Sequence, residues 1–290
     1  MHCARSARVG RVSLAKIVDQ DIKHIIAKRF GDAAHKYDKH ALVQQEVADS
    51  LLAWSSFGCA NISKGGVAAD IGCGTGYLSH QVSRHFDQWL NVDIAKGMLQ
   101  AGKNLADVRL FSPESMPRPS LANQSFIVGD AEQLPLKDES IDVMLSSMAL
   151  QWCRNPQTLM EKLHGALVPQ GKAILAIMVS PSFTSLSQAW KSLGIAPRVN
   201  TFATSAQWLD AAKSCKWQVN SHQACFFTEH ENVSAMLKSI KTVGANALID
   251  KSSRKAFSKT ELMSLDAYFE AQLSHTLDYQ VLFLECQKQA

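Results

Sequence analysis

An α/β fold, a mostly parallel sheet covered by helices on both faces, follows from three features of this 290-residue chain. Short apolar runs of strand length alternate with longer segments of helical spacing. The first such run, Val67–Ile71, ends in Asp70-Ile71-Gly72-Cys73-Gly74-Thr75-Gly76, three glycines at alternate positions where the backbone can pass close to a ligand. A second acid, Asp93, closes the next run, at about the spacing where such folds place a ribose-binding carboxylate. Together they predict a nucleoside cofactor site at the ends of parallel strands.

The elements follow in order. Lys28–Trp54 is helical by the spacing of Phe30, Ala33, Ala34 and Tyr37 and then Val43, Val47, Leu51 and Leu52. Strand Val67–Ile71 is followed by a helix over Tyr77–Phe86, strand Trp89–Val92 and helix Ala95–Leu105. Phe111–Gln124, rich in proline and serine, reads as a surface loop insertion. Strands Ser125–Val128 and Ile141–Leu145 come next. A helix over Pro156–Leu167 is opened by Asn155-Pro156 and closed by a Pro169-Gln170-Gly171 turn before strand Lys172–Val179. Beyond Val179 the pattern changes to helices at Ser182–Leu193, Ser205–Ser214, Glu231–Leu248 and Thr260–Leu273, with strands at Gln218–Thr228 and Tyr279–Cys286. No internal repeat is evident.

Composition narrows the class. A hydrophobic content of 46% suffices for a large core. No run of about eighteen apolar residues predicts a membrane span. The net charge of +4 is too mild to imply nucleic acid. Residues 1–24 carry Arg5, Arg8 and Arg11 with no apolar stretch behind them, and are expected to form a disordered basic extension rather than a secretory signal. Seven scattered cysteines, an odd number without a paired framework, fit reduced thiols in a cytoplasm. There is no C-x-x-C, no G-x-S-x-G and no P-loop lysine, and His230-Glu231 lacks the second histidine of a zinc-protease helix, so no metal is expected. Lys238, Lys241, Lys251, Arg254, Lys255 and Lys259 form a basic stretch that is either a solvated face or a dock for an acidic partner.

The third glycine comes one position too early for the dinucleotide fingerprint. The pattern D-x-G-x-G-x-G instead resembles motif I of class I S-adenosylmethionine-dependent methyltransferases. Four further segments together resemble the malonyl-acyl carrier protein O-methyltransferases of biotin synthesis, the BioC family. They are Phe30–Asp38 with Ala149-Leu150-Gln151-Trp152-Cys153, then Ser239–Asn246, and the terminal Leu277–Leu284. The resemblance runs from about Ile25 to the C-terminus. It implies a Rossmann-like sheet of seven strands, mostly parallel with the last antiparallel. It also implies one domain over 25–290, with a helical cap at about 181–208 helped by 25–54 and 237–274. The basic N-terminus and the Phe111–Gln124 insertion depart from the family pattern.

The implied reaction is methyl transfer from S-adenosyl-L-methionine to the free carboxylate of malonyl-acyl carrier protein, with malonyl-coenzyme A as a possible substitute and no nucleic acid or membrane partner. A carboxylate is already ionised near neutral pH, so no general base is required. The family pattern assigns Asp70, Gly72, Gly74 and Gly76 to the methionine end, Asp93 to the ribose, Ile94 and Met98 to the adenine faces, and Asp130 and Ala131 to the adenine edge. Tyr37 closes over the reacting end or is ordinary core, and Gln151 follows the fourth strand. Trp152, Lys241 and Arg198 are the substrate candidates, Trp152 with core packing as its rival and Lys241 for the malonyl carboxylate or the pantetheine arm. The alternatives are a small-molecule C- or O-methyltransferase of the quinone-precursor type and a non-catalytic S-adenosylmethionine-binding protein.

Overall fold

The computed structural model describes residues 3–56, 65–109, 123–243 and 257–289, with side chains from residue 22 in the first helix and up to residue 104 in the helix before the first long gap. Helix α1 spans Cys3–His40 and α2 Leu42–Trp54. The sheet and its crossovers are β1 (Val67–Ile71), α3 (Tyr77–Val82), β2 (Gln88–Asp93), α4 (Lys96–Arg109), β3 (Gln124–Val128), β4 (Ile141–Ser147), α5 (Pro156–Ala166) and β5 (Leu167–Met178). Then come α6 (Thr184–Leu193), α7 (Ser205–Ser214), β6 (Trp217–Glu229), α8 (Val233–Thr242), α9 (Lys259–Gln272) and β7 (Thr276–Lys288).

The seven strands lie in the order β3-β2-β1-β4-β5-β7-β6. The first five run parallel, and β7 is antiparallel to both neighbours, as expected for the last strand. Alternation along the buried strands divides the core between two faces. In β5, Ala173, Leu175 and Ile177 face α5 and α7, while Ile174, Ala176 and Met178 face α2, α6, α8 and α9. Helix α7 therefore belongs to the opposite layer from α6, and the cap above the site is made by α6, α8 and α9 with α2.

Three differences from the expected elements have local causes. The helix expected over Lys28–Trp54 breaks at Ala41 (φ −88°, ψ 38°), where Gln45 Nε2 donates to the freed Asp38 carbonyl at 3.0 Å. The break lets α2 lie on the sheet while α1 crosses the strand ends. The Pro169-Gln170-Gly171 turn is a bulge inside β5, with Gln170 at φ 66° and a register shift between Ile141 and Val143 of β4. Residues 3–24, expected as a disordered extension, continue α1, and Lys23 makes ion pairs across the site. Most of the Phe111–Gln124 insertion and the end of the helix expected to reach Leu248 lie outside the described residues, as do Lys251, Arg254 and Lys255.

Side chains cap α5, as Asn155-Pro156 predicts, and also α7 and α9. Asn155 Oδ1 accepts from Thr158 N at 3.2 Å with Pro156 in the first turn, and Thr204 and Ser258 form reciprocal capping boxes with Gln207 and Glu261. Helix α1 crosses α4 at Gly31 and Gly97, so closely that a Cβ on Gly97 would lie 2.9 Å from Gly31 Cα. That crossing holds α1 against α4.

Candidate active site

The site lies where β1, β2, β3 and β4 end, at the point where strand order reverses between β1 and β4. After β1 the chain turns through Gly72, Gly74 and Gly76, all at positive φ. Gly72 (φ 72°) cannot be replaced without conflict, because a Cβ there would overlap Ala149 Cβ. Its amide donates to Val92 O at 2.7 Å, which fixes the turn against β2.

Asp93, at the end of β2, accepts from Gly74 N at 2.9 Å and Ala95 N at 2.7 Å. Each of its oxygens keeps a lone pair for a further donor. Burial pushes Asp93 up to about 6, although both amide bonds act in the opposite direction. Asp70 is 1% exposed, and both of its carboxylate oxygens are buried without a partner. Burial, and after it the charge of Asp93, push Asp70 up to about 8. An unpaired buried carboxylate is costly, and a cationic group brought against it removes the cost.

These residues line a cavity that holds about 1080 Å³ of atom-free space, counting the part open to solvent. Asp70, Gly72, Gly74, Asp93, Ile94, Met98, Asp130 and Ala131 all contribute to its wall. Gly76 does not; it sits at the N-cap of α3 in the left-handed conformation that starts the helix. Asp130 Oδ1 accepts from Lys23 Nζ at 2.9 Å and Oδ1 also receives Glu132 N at 3.0 Å. Lys23 pairs with Glu132 as well. Burial opposes the Lys23 charge, but Cys153, Glu132 and Asp130 together hold its ammonium above the ordinary range. Tyr37 lies over the glycine turn, its Cε1 4.0 Å from where a Gly74 Cβ would stand. Burial, then the charges of Asp93 and Asp38, push its phenol well up, so the hydroxyl stays protonated. Asp38 accepts a bond from Thr75 Oγ1, tying α1 to the turn.

A second cavity adjoins the first and shares Phe30, Tyr37, Gln44, Met148 and Trp152 with it. Its far walls are Met178, Phe183, Phe202, Ile240, Val243 and Tyr279, from β5, the cap and β7. Trp152 stands edge-on to Phe30 (5.5 Å) and Phe202 (6.1 Å) and so forms a partition of this chamber. Gln151 also lines it.

Two substrate candidates are placed elsewhere. Lys241 is exposed and lines neither cavity, because α8 turns Ile240 and Val243 inward. Arg198 pairs with Glu261 at 2.8 Å and stacks over Phe257 at 3.9 Å, pinning the loop after α6 to α9. Conversely, Lys23, Asp38, Gln44 and Ser147 line the site and sequence reasoning missed them.

Comparison with known proteins agrees with this geometry. The family model described as a methyltransferase domain matches residues 69–175, from the end of β1 to β5. A putative methyltransferase from Bacillus halodurans shares the fold, with a TM-score of 0.58 at 10% identity over 84% of this chain and 99% of that one. Fold and site together define a class I methyltransferase. A malonyl-[acyl-carrier protein] O-methyltransferase of Pectobacterium atrosepticum is 31% identical over 268 residues, 90% of this chain and 95% of that protein. The bifunctional biotin biosynthesis protein BioHC of Saccharophagus degradans is 27% identical over 99% of this chain, which spans 50% of its length. The chain belongs to the malonyl-[acyl-carrier protein] O-methyltransferase family.

Proposed function

We propose that this protein transfers a methyl group from S-adenosyl-L-methionine to the free carboxylate of a malonyl thioester on acyl carrier protein, the acceptor its relatives are named for. The observation that carries the donor is the Asp70 carboxylate, buried and without a partner beside a positive-φ glycine turn. It fits the cationic amino end of that cofactor. Asp93 fits the ribose hydroxyls, Ile94 and Met98 the adenine faces, and Asp130 with Ala131 the adenine edge.

The bound donor supplies an activated methyl group; the chain supplies position and dryness. Phe30, Trp152, Phe183 and Phe202 wall the second cavity with apolar surface, which excludes water from an in-line displacement. Tyr37 keeps its proton and offers a hydroxyl donor beside the reacting end. A phenol or carbon acceptor would require a base. The described lining of both cavities holds no histidine, and Tyr37 is held neutral, which favours a carboxylate acceptor.

For the carrier, Lys238 and Lys241 stand exposed three residues apart on α8, with exposed Lys259 at the start of α9. A basic face next to the cap suits an acidic carrier protein, through steering and rim contacts that weaken with salt. Incubation with methyl-labelled donor and malonyl-acyl carrier protein tests the function: an alkali-labile labelled ester is expected. Donor binding without that ester would return the protein to the small-molecule or non-catalytic readings.

A further inference from the structure

The two cavities meet around Tyr37, Gln44 and Met148. Three buried polar atoms border that junction without a hydrogen-bonding partner: Gln44 Oε1 on α2, Ser147 Oγ at the end of β4, and Gln151 Oε1 just beyond it. Ser147 lines the first cavity, Gln151 the second, and Gln44 both. Buried polar side-chain atoms are nearly always paired, so three orphans around one space mark where a polar ligand sits. Met148, between Ser147 and Gln151 on one side, holds a left-handed backbone at φ 53°, a conformation that residues with a Cβ adopt only under constraint. The sheet imposes it, since Met148 N donates to Ala176 O at 2.9 Å.

The charge of this space is as informative as its polarity. Among the described residues, the lining of the second cavity contains no Lys, Arg, His, Asp or Glu. Lys241 is exposed and Arg198 is engaged with Glu261 and Phe257, so neither supplies a cationic clamp there. Neutral donors remain. Ser147 has its hydroxyl, Tyr37 its phenol, and Gln44 an amide that presents NH2 in place of oxygen after half a turn about its last bond. Gln151 differs: one N–H of its Nε2 already donates to Met148 O at 2.7 Å, which fixes the amide with its buried Oε1 as the unpaired atom, and that oxygen is no partner for an anion.

We infer that Gln44, with Ser147 and Tyr37, positions the acceptor carboxylate by neutral hydrogen bonds, and that its counter-charge is the sulfonium of the donor rather than any side-chain cation among the described residues. The inference rests on the carboxylate-methylation reading. The carboxylate oxygen forms the new O–CH3 bond as the S–CH3 bond breaks, the electron pair of that bond stays on sulfur, and no proton moves. A cation and an anion become two neutral products. A chamber whose described lining adds no charge of its own therefore admits the carboxylate only after the charged donor and loses its hold once the charge is gone. A desolvated anion would otherwise stand there uncompensated.

The test is calorimetric binding of malonyl-coenzyme A to the full chain in three states: alone, with neutral S-adenosylhomocysteine, and with sinefungin, which carries an ammonium near the sulfonium position. At least tenfold tighter binding with sinefungin than with S-adenosylhomocysteine is expected. Gln44→Leu and Ser147→Ala should each weaken binding to the sinefungin complex about fivefold or more. Both should leave affinity for S-adenosylhomocysteine within twofold and raise KM for the malonyl substrate but not for the donor. Equal affinity in the two nucleoside complexes, or unchanged malonyl binding in both variants, would overturn the inference. So would loss of binding in Lys251→Gln/Arg254→Gln/Lys255→Gln with Gln44→Leu unaffected, which would place the clamp there. Wild-type protein that forms no methyl ester overturns the underlying reading as well; wild-type ester formation with indifferent variants overturns this inference alone.

Discussion

Donor affinity should fall steeply as pH drops from 8 to 6, with Asp70 setting the slope. Burial and the neighbouring Asp93 charge push Asp70 up to about 8 in the ligand-free site. At pH 7 such a group is about nine-tenths protonated, and a cationic amino group brought against it must first displace that proton. The loss of affinity is about elevenfold at pH 7 and about a hundredfold at pH 6, roughly 1.4 and 2.7 kcal/mol, against about twofold at pH 8. Titration calorimetry with S-adenosylhomocysteine, in two buffers of different ionisation enthalpy, should show close to one proton released at pH 7. Affinity should rise about ninefold from pH 6 to 7 and about fivefold from pH 7 to 8. Asp70→Asn should bind more weakly and without that slope. The same shift fixes the sign for stability. The folded pKa lies above the unfolded one, so Asp70's contribution to the ligand-free fold is fully present below about pH 4. That contribution should be lost as pH rises through about 8. Ligand-free Asp70→Asn should therefore melt higher than wild type at pH 8. A flat affinity profile in wild type, or the same slope in the asparagine variant, would refute the reasoning.

Other outcomes follow from the same geometry. Gly97→Ala should gain about 1 kcal/mol of helix propensity yet lose about 1–3 kcal/mol to collision with the Gly31 backbone, so urea unfolding should show no net gain and donor binding should weaken as α1 shifts. Lys23→Met removes the cation that fastens α1 to Asp130 and Glu132. Stopped-flow release of S-adenosylhomocysteine should quicken about fivefold or more, and an unchanged rate would show that the pair does not hold the site closed. Lys238→Glu/Lys241→Glu should raise KM for malonyl-acyl carrier protein about five- to tenfold at low salt and less than twofold for malonyl-coenzyme A; equal effects on both would remove the docking face.

The sheet was legible because its parallel strands are buried on both faces and so read as apolar runs that end in glycine or an acid. Val67–Ile71 and Ser205–Ser214 have the bounds that the sequence predicts. The nucleoside cavity was legible for the same reason, its acids standing at strand ends. The substrate side was less so. Lys241 lies one residue from Ile240, but a helix turns about 100° per residue, and the apolar series Val233, Met236, Ile240 and Val243 already marks the inward face. That signal was present and outweighed by proximity to a motif. Lys23 carries no such signal, since its partners lie 107 and 109 positions further along the chain. Gln44 and Ser147 are ordinary polar residues in amphipathic segments, and only their buried, unpaired atoms distinguish them. The break at Ala41 is equally silent, because alanine favours helix and the turn is imposed by packing.

The central claim is that a carboxylate is methylated in a site built for one. Its most direct measurement is methyl transfer from labelled S-adenosyl-L-methionine to malonyl-acyl carrier protein, scored beside the same carrier bearing an acetyl group. Label on the malonyl carrier alone, released as methanol by mild alkali, is the predicted result. Label that resists alkali, or that appears equally on the acetyl carrier, would contradict the account.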